Sequence, residues 1–321
     1  MFKYVLKRLG LMILTFLIIM VICFLLIKSL PLQFPEGLTA AQEAALKAKW
    51  EALGYYDPIL VQMGKYFWGV FTRWDWGVSW KIDYMKPAFY SLSSRLAPTM
   101  LINVYSIILA VPLGIGIGIY AALKKNKWQD SLISTLIMVF VSVPSYIYAF
   151  LVQYLLCFKL GWFPLVASSL GDAGGSYFSW TMFVSLIPAV LSLSFGTIAG
   201  MGRFVRAELT EALTSEYMLL ARAKGLTNAQ ATTRHALNNA MVPILPSIIS
   251  EFFGIIGGSL IIEQIFSIPG IGKLFIQSIN MRDYDVYMVS NAFYVFIGLA
   301  ASILVDLSYG FIDPRIRMGA R

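Results

Sequence analysis

Long apolar stretches recur along the whole chain and predict helices that cross a membrane. A helix needs about 20 predominantly apolar residues to cross the hydrocarbon core of a bilayer. Six stretches come close to this length or exceed it, and only one has a charged residue well inside it, Glu251. They are Leu9 to Ile27, Pro98 to Leu123, Ser131 to Phe158, Trp180 to Ala199, Ala240 to Ile262 and Val286 to Val305. We therefore predict an all-α membrane protein with six transmembrane helices.

The first apolar stretch follows Lys3, Lys7 and Arg8, as the apolar part of a signal peptide would. It is longer than such a segment usually is, and no small-x-small cleavage site follows it. We predict that it stays in the protein as the first transmembrane helix. Three parts result: residues 1–30 with this helix, an extracytoplasmic segment 31–97, and a five-helix core 98–321.

Basic residues predict the orientation of the helices. If the N-terminus is cytoplasmic, the inside segments contain fourteen Lys and Arg residues, ending with Arg315, Arg317 and Arg321. The two short outside loops contain only Lys159, Lys273 and Arg282. Cytoplasmic loops carry the excess of positive charge in membrane proteins. Both termini are therefore predicted to lie in the cytoplasm.

Composition supports a membrane location and excludes several functions. Hydrophobic residues make up 58% of the chain and charged residues 13%, about half the share in a soluble domain. The net charge of +8 does not indicate nucleic-acid binding, because the basic residues lie at the ends of apolar segments. Cys23 and Cys157 lie inside apolar stretches, and His235 is the only histidine, so neither a disulfide framework nor a Cys/His metal site is expected.

The segment 31–97 contains a helix signal and five of the eight tryptophans. Thr39 and Gln42 form a capping box at the start of a predicted helix that ends at Gly54, with Leu46, Trp50 and Leu53 on one face. Two interpretations of the aromatic residues stay open: an interfacial belt at the lipid headgroups, or a docking surface for an extracytoplasmic partner. The five tryptophans are Trp50, Trp68, Trp74, Trp76 and Trp80.

The predicted cytoplasmic loop 202–239 has the pattern of a helix–turn–helix. Leu209, Ala212, Leu213, Tyr217 and Leu220 recur at helical spacing, and Gly225 suits the end of the first helix. Thr227 or Asn228 can cap the second helix. The pattern fits an ordinary helical hairpin as well as it fits a lever attached to a spanning helix. In the second case the small residues Ala221, Ala223 and Gly225 would let another protein approach closely.

Four motifs, spread over almost the whole chain, resemble those of the oligopeptide and dipeptide permeases of the ABC importer class. The loop motif resembles the family's coupling loop and comprises Glu216-Tyr217, Ala221-Arg222-Ala223-Lys224-Gly225-Leu226, Arg234-His235-Ala236-Leu237, Asn239-Ala240 and Pro243. The others are Leu53-Gly54 with Asp57-Pro58, Gln62, Tyr66 and Asp75-Trp76-Gly77-Val78-Ser79; Glu263-Gln264-Ile265-Phe266 with Pro269-Gly270-Ile271-Gly272; and Asp313-Pro314-Arg315-Ile316-Arg317. Leu219 and Leu220 stand where the general importer motif has an acid and an alanine, although the peptide branch commonly departs there too. Trp74 stands where the family usually has glycine.

The resemblance implies a non-catalytic permease subunit in a bacterial or archaeal cytoplasmic membrane. Its coupling residues would be Glu216, Tyr217 and Ala221 to Leu226, docked into a cytoplasmic ATPase. The implied partners are a second homologous permease subunit, two ABC ATPase subunits and an extracytoplasmic solute-binding protein. ATP and Mg²⁺ would be bound by the ATPases, since this chain has no Walker lysine motif. Peptides are the expected solute, with nickel complexes and oligosaccharides as alternatives.

Two places inside the predicted spans are candidates for the translocation path. An acid inside a membrane is costly, so Glu251 is a functional candidate, and a hydrogen-bonded interhelical carboxylate is the alternative. Ser142, Pro144 and Tyr146 lie where the third span could break along the path or form a packed proline kink. Gly114, Gly116 and Gly118 lack the preceding strand of a nucleotide-binding loop and indicate close helix packing instead.

Two other classes of protein remain as alternatives. An ion- or proton-coupled secondary transporter would show paired half-repeats and intramembrane charges at matching places. Glu251 has no such counterpart. A membrane-embedded enzyme would need a cluster of His, Asp or Glu near the bilayer face, and a single histidine argues against one.

Overall fold

The computed structural model describes residues 2–35, 37–254 and 260–312, and the regular elements in these ranges are helices. The helices are α1 Phe2–Lys28, α2 Ala40–Ala52, α3 Ile59–Arg73, α4 Ala88–Ser93, α5 Leu96–Leu123, α6 Trp128–Ser142, α7 Ser145–Val152, α8 Trp180–Leu213, α9 Glu216–Ala223, α10 Asn228–Ala231, α11 Leu237–Gly254, α12 Leu260–Ile265, α13 Ile271–Asn280 and α14 Tyr284–Ile312. A π-helical segment, Gln153–Lys159, follows α7, and a second, Thr232–Ala236, joins α10 to α11.

Four helical segments of the described chain are long and apolar enough to cross a membrane, and a bent pair makes a fifth. They lie on α1, on α4 with α5, on α8 and on α14, and the bent pair is α6 with α7 and its π-helical extension. The predicted span Ala240 to Ile262 falls on α11 and α12, and residues 255–259 between them lie outside the described ranges. The all-helical membrane fold is confirmed, whereas the count of six stays a prediction. The closing motif 313–317 and the predicted inside residue Arg321 also lie outside those ranges.

The chain divides into two compact units. The first comprises residues up to 97 together with 269–300, and the second comprises 98–268 with the residues after 300. In the first unit, α1, α3, α4, α13 and the start of α14 share one apolar core, in which Phe24, Ile271 and Val289 are almost completely buried. The 31–97 segment therefore packs with α1 and with residues distant in sequence.

The aromatic residues of segment 31–97 divide into a core group and an exposed group. Trp50, Trp76 and Trp80 are buried, so the prediction that all five tryptophans form an interfacial belt or a docking surface is wrong for these three. Trp50 stacks on Phe34 with 5.1 Å between ring centroids, and Trp80 meets Trp50 edge-on. Of the five tryptophans in this segment, only Trp68 and Trp74 are exposed. The predicted capping box at Thr39 is confirmed, but Leu53, at the C-cap of α2, is exposed.

Two buried carboxylates at the start of α14 hold the 77–83 loop of the first unit. Asp283 accepts hydrogen bonds from the hydroxyl of Ser79 at 2.7 Å and from the backbone N–H groups of residues 80, 81 and 82. Asp285 accepts from the hydroxyl of Tyr55 at 2.5 Å and from the N–H of Val78 at 3.1 Å. A carboxylate with several N–H donors is well satisfied despite its burial. The Gly77-Val78-Ser79 part of the signature motif therefore has a structural role.

The second unit is built around α8. A Cβ at Gly114 would lie 2.8 Å from Cβ of Met201, and a Cβ at Gly118 would lie 2.7 Å from the carbonyl oxygen of Gly202. The prediction of close helix packing is confirmed for these two glycines, whereas Gly116 has no atom within 4 Å of such a Cβ. On the α12 side, buried Glu263 accepts a hydrogen bond from Thr99 of α5 at 2.8 Å.

Gly77 allows a direct test of the carboxylate anchor. We expect Gly77→Ala to lower the free energy of unfolding by more than about 1 kcal/mol, because φ is +84° and the new Cβ would lie 2.3 Å from Oδ2 of Asp285. Thermal unfolding of the purified protein in detergent measures the effect. Gly64→Ala is the matched control, since Gly64 lies inside α3 with open space around it. Equal unfolding temperatures for the two variants would contradict the anchor.

Candidate functional site

The candidate coupling segment begins as a continuation of α8. This helix has 34 residues and a length of about 51 Å, well beyond the roughly 30 Å core of a bilayer. The predicted span ended at Ala199 and the predicted loop began at residue 202, but residues 200–213 continue the same helix. One end of α8 therefore extends rigidly out of the apolar region and leads directly to α9.

Helix α9 has a defined start and end. It begins after a break at Thr214 and Ser215, and Glu216 in its first turn is favourable beside the positive end of the helix dipole. At the other end Gly225 has φ +86°. The N–H of Leu226 bonds to the carbonyl oxygen of Ala221, and the N–H of Gly225 bonds to that of Arg222. This pair of bonds is a Schellman motif, so the predicted conformational role of Gly225 is confirmed.

The turn after Gly225 leads at once into the next helix. Thr227 is the N-cap of α10, and with Gln230 it forms a capping box. Of the two predicted caps, Thr227 is therefore the correct one. The chain then continues through the π-helical segment into α11 without a further break. The segment from α8 to α11 is thus fully helical apart from two short turns.

The face of α9 that is buried differs from the predicted one. Met218 and Ala221 are 1% and 6% exposed and pack with Leu209 and Ile244 in one apolar cluster. The sequence pattern placed Tyr217 and Leu220 on the buried face, because it treated α8 and α9 as one continuous helix. The break at Thr214 and Ser215 rotates the face that meets the core. Ala221 is therefore a packing residue, and it is not accessible to another protein.

The outer side of α9 presents both apolar and basic side chains, and we call it the α9 surface. Leu219 and Leu220 are 63% and 56% exposed, which is unusual for neighbouring leucines outside an apolar span. The α9 surface consists of Tyr217, Leu219, Leu220, Arg222, Ala223, Lys224 and Gly225, all of them exposed. Glu216 is exposed beside it, and Leu226 is partly buried. The sequence pattern did not indicate that these two leucines are exposed together.

An ion pair that sequence reasoning missed joins α8 to α6. Arg206 donates from Nε to Oδ1 of Asp130 at 2.6 Å and from Nη2 to Oδ2 at 2.8 Å. Asp130 is 4% exposed and also accepts from the N–H of Asn126 and the hydroxyl of Ser134. This two-bond geometry is the strong form of the arginine–carboxylate pair. The available sequence signal for this pair was Asp130, a lone acid directly before an apolar stretch. Its partner Arg206 lies 76 positions further on, so the sequence alone did not connect the two.

The candidate path residues of the third predicted span lie at a sharp break. Helices α6 and α7 meet at Val143 and Pro144 with a bend of 100°, so the chain breaks there and the gentler proline kink is wrong. The hydroxyl of Tyr148 donates to the carbonyl oxygens of Phe140 and Val143 and so satisfies groups that the break leaves open. Ser142, Pro144 and Tyr146 are exposed.

Glu251 is exposed on α11, and no hydrogen bond or ion pair joins it to another described residue. The alternative of a hydrogen-bonded interhelical carboxylate is therefore not seen among the residues that the structure describes. No hydrogen bond connects Glu251 with the break at Pro144. Within the same described ranges, no group of three His, Cys, Asp or Glu residues could hold a metal ion.

Comparison with known proteins gives the same family along the chain. Residues 114–318 match the family described as "Binding-protein-dependent transport system inner membrane component". The chain is 35% identical to the dipeptide transport system permease protein DppB of Lactococcus lactis subsp. cremoris (strain MG1363), over 99% of this chain and 100% of that protein. It is 33% identical to the glutathione transport system permease protein GsiC of Salmonella paratyphi A (strain ATCC 9150 / SARB42), over 99% of each.

A solved structure supports the fold. The crystal structure of an amino acid ABC transporter with histidines aligns with a TM-score of 0.52 and 21% sequence identity, over 69% of this chain and 94% of that one. At this identity the likeness concerns the fold alone. The family match and the full-length relatives lead to one conclusion. The chain belongs to the family of inner-membrane permease components of binding-protein-dependent transport systems.

Proposed function

We propose that this permease imports short peptides and that the α9 surface is where a cytoplasmic ATPase drives it. The observation that carries the proposal is the α9 surface itself: apolar and basic side chains exposed on a helix whose other side is anchored in the core. An exposed apolar patch bordered by charges is typical of a protein–protein contact. Arg222 and Lys224 suit an acidic or carbonyl-lined cleft on the partner.

The proposed assembly contains a second homologous permease, two ATPases and an extracytoplasmic binding protein, with both termini of this chain in the cytoplasm. The positive-inside distribution of Lys and Arg supports this orientation. ATP and Mg²⁺ would be bound by the ATPases, and this chain would do no chemistry itself. Its task is mechanical: movement of α9 must reach the helices that open and close the path.

The route of that movement follows rigid contacts. Helix α9 is packed on the end of α8 through Met218 and Ala221. Helix α8 is held to α6 by the Arg206–Asp130 pair, and α6 leads to the break at Pro144. A displacement of α9 would therefore reach α6 and α7, which both pack on α8, at the break between them. Ser142, Pro144 and Tyr146 at this break, and Glu251 on α11, remain our candidates for the path.

Short peptides are the proposed solute because two full-length relatives are named for dipeptide and glutathione transport. Both solutes contain peptide bonds and a free carboxylate. Uptake of labelled dipeptides and glutathione into vesicles that contain the complete assembly tests the class. ATP-dependent uptake without an ion gradient is expected, whereas uptake that needs a proton or sodium gradient and no ATP would support a secondary transporter instead.

Gly225 tests whether the end of α9 meets the ATPase. We expect Gly225→Val to abolish uptake and solute-stimulated ATP hydrolysis while the subunit still folds and inserts, because no other atom lies near its Cβ position. Valine disfavours the left-handed conformation and enlarges the surface. Gly225→Asn is the control for conformation, since asparagine tolerates positive φ. Unchanged uptake by the valine variant would contradict the coupling assignment.

The two leucines test the apolar part of the same contact. We expect the double variant Leu219→Ser, Leu220→Ser to bind the ATPases about tenfold more weakly or worse, since each buried leucine contributes roughly 1.5–3 kcal/mol. Co-purification titrated against ATPase concentration measures the change. Leu60→Ser is the matched control, because Leu60 is 66% exposed but lies on α3. Equal affinities of the double variant and the wild type would show that the ATPase docks elsewhere.

The Arg206–Asp130 pair tests the route from α8 to α6. We expect Asp130→Asn and Arg206→Gln each to raise the number of ATP molecules hydrolysed per peptide transported, because α6 no longer follows α8. In the double variant, the rise in ATP hydrolysed per peptide should be smaller than the sum of the rises in the two single variants. The reason is that the double variant leaves no buried partner unpaired. Uptake and hydrolysis measured together in proteoliposomes give this ratio. If only the amount of folded protein falls and the ratio stays constant, the pair has a purely structural role.

A further inference from the structure

An apolar groove in the first unit runs along two of the membrane-spanning helices. Its volume is about 320 Å³, and its walls come from α1, α3, α4 and α14. Met20 and Val289 form its buried floor, while Phe71, Trp74 and Phe296 stand exposed at its rim. Such a row of open aromatic side chains beside membrane helices suits an apolar occupant.

The length of the groove matches one leaflet of a bilayer. Phe16 lies twelve positions before the end of α1 at Lys28, and Phe296 lies twelve positions after the start of α14 at Tyr284. At 1.5 Å per residue, both distances are about 18 Å. Half of the hydrocarbon core measures about 15 Å. The groove therefore reaches from the membrane surface to about the midplane.

The shape and lining of the groove suit a flexible apolar chain. The groove extends over several turns of α1 and α14, and the surface that lines it is apolar. A lipid acyl chain has this shape and this chemistry.

Trp74 at the rim is held in a strained conformation. It follows α3 as the C-cap with φ +55°, a left-handed geometry that favours glycine. Its ring is 64% exposed and meets Trp76 and Phe89 edge-on. This is also the position where the chain departs from the glycine of the family signature. A large ring lies here despite the strain, and it forms part of the wall of the groove.

A polar cavity of about 150 Å³ adjoins the groove, because Tyr66 lines both. The hydroxyl of Tyr66 is buried and has no partner among the described residues. Burial and the nearby carboxylates of Asp285 and Asp75 raise the pKa of Tyr66 well above its usual value, so the hydroxyl keeps its proton and can donate. A buried donor in this state is available to a polar ligand atom next to it.

The charges around this cavity balance. Lys28 and Arg73 line it together with Asp75 and Asp285, and the third cation, Lys65, pairs with Asp57 at 2.6 Å. Arg73 forms no ion pair with a described carboxylate. Asp285 already accepts hydrogen bonds from Tyr55 and Val78. Arg73 and Asp75 are therefore the two opposite charges that suit a ligand carrying both signs of charge.

We propose that the first unit binds one phospholipid with a zwitterionic headgroup. One acyl chain lies in the groove under Trp74, the phosphate meets Arg73 and the hydroxyl of Tyr66, and the ammonium group meets Asp75. The inference is independent of the transported solute and of the ATPase contact.

The test uses the full chain with its accompanying subunits, reconstituted into vesicles of phosphatidylethanolamine and phosphatidylglycerol in equal amounts. After extraction in mild detergent, native mass spectrometry counts the lipids that remain bound. We expect one phosphatidylethanolamine per chain. The Trp74→Gly variant should retain about tenfold less phosphatidylethanolamine, because the groove loses part of its wall. Arg73→Gln and Tyr66→Phe should lower the preference for the amine lipid.

Controls separate lipid binding from folding. Trp74→Gly relieves the backbone strain, so its thermal stability should stay close to the wild type while its bound lipid falls. Trp68→Ala should retain the lipid, since Trp68 is 69% exposed but does not line the groove. Equal retention by Trp74→Gly and wild type would overturn the proposal. Equal retention of both lipids by the wild type would also overturn the proposal. Crosslinks from Phe71→Cys or Phe89→Cys to the second permease subunit would overturn it as well.

Discussion

In the second unit, α5 and α8 approach so closely that only glycine fits at two positions of α5. At Gly114 and Gly118 the neighbouring helix occupies the space where a Cβ would be, with Met201 and Gly202 on the other side. Because no side chains separate the two backbones, α8 has little freedom to slide or tilt against α5. A helix of 34 residues held in this way is stiff along its length. The other features of the unit, including the placement of α9, depend on that stiffness.

The polar contacts of this unit are arranged where α8 leaves the apolar region. Arg206 lies one turn beyond Gly202 and reaches Asp130 of α6 with two hydrogen bonds. One further turn leads to Leu209, which is fully buried in the cluster that holds Met218 of α9. Close packing, an ion pair and an apolar cluster thus follow one another along a single helix. For the ATPase contact that we propose on α9, this order offers a route by which force could reach the helices inside the membrane.

The first unit is organised by a different interaction, the pairing of buried carboxylates with backbone N–H groups. Asp283 and Asp285 hold a loop that lies some 200 positions earlier in the chain. The hydroxyl of Tyr55 joins Asp285 to the indole N–H of Trp80, which brings the tryptophan core into the same network. Burial and the carboxylate of Asp285 raise the pKa of Tyr55 well above its usual value, so this hydroxyl stays a donor. A polar network therefore fixes the aromatic residues that the composition suggested were at a lipid interface.

The sequence by itself determined the features that depend on neighbouring residues. Apolar stretches marked α1, α5, α8 and α14, and local hydrogen bonding determined the capping box at Thr39 and the conformation of Gly225. Only the tertiary structure decided which face of α9 is buried, how sharply α6 turns into α7, and which tryptophans lie in the core. Each of these depends on partners distant in the chain, such as Ile244 for Met218 or Asp283 for Trp80. Helical periodicity shows which residues share a face, but the side that meets the core is set by the elements packed against it.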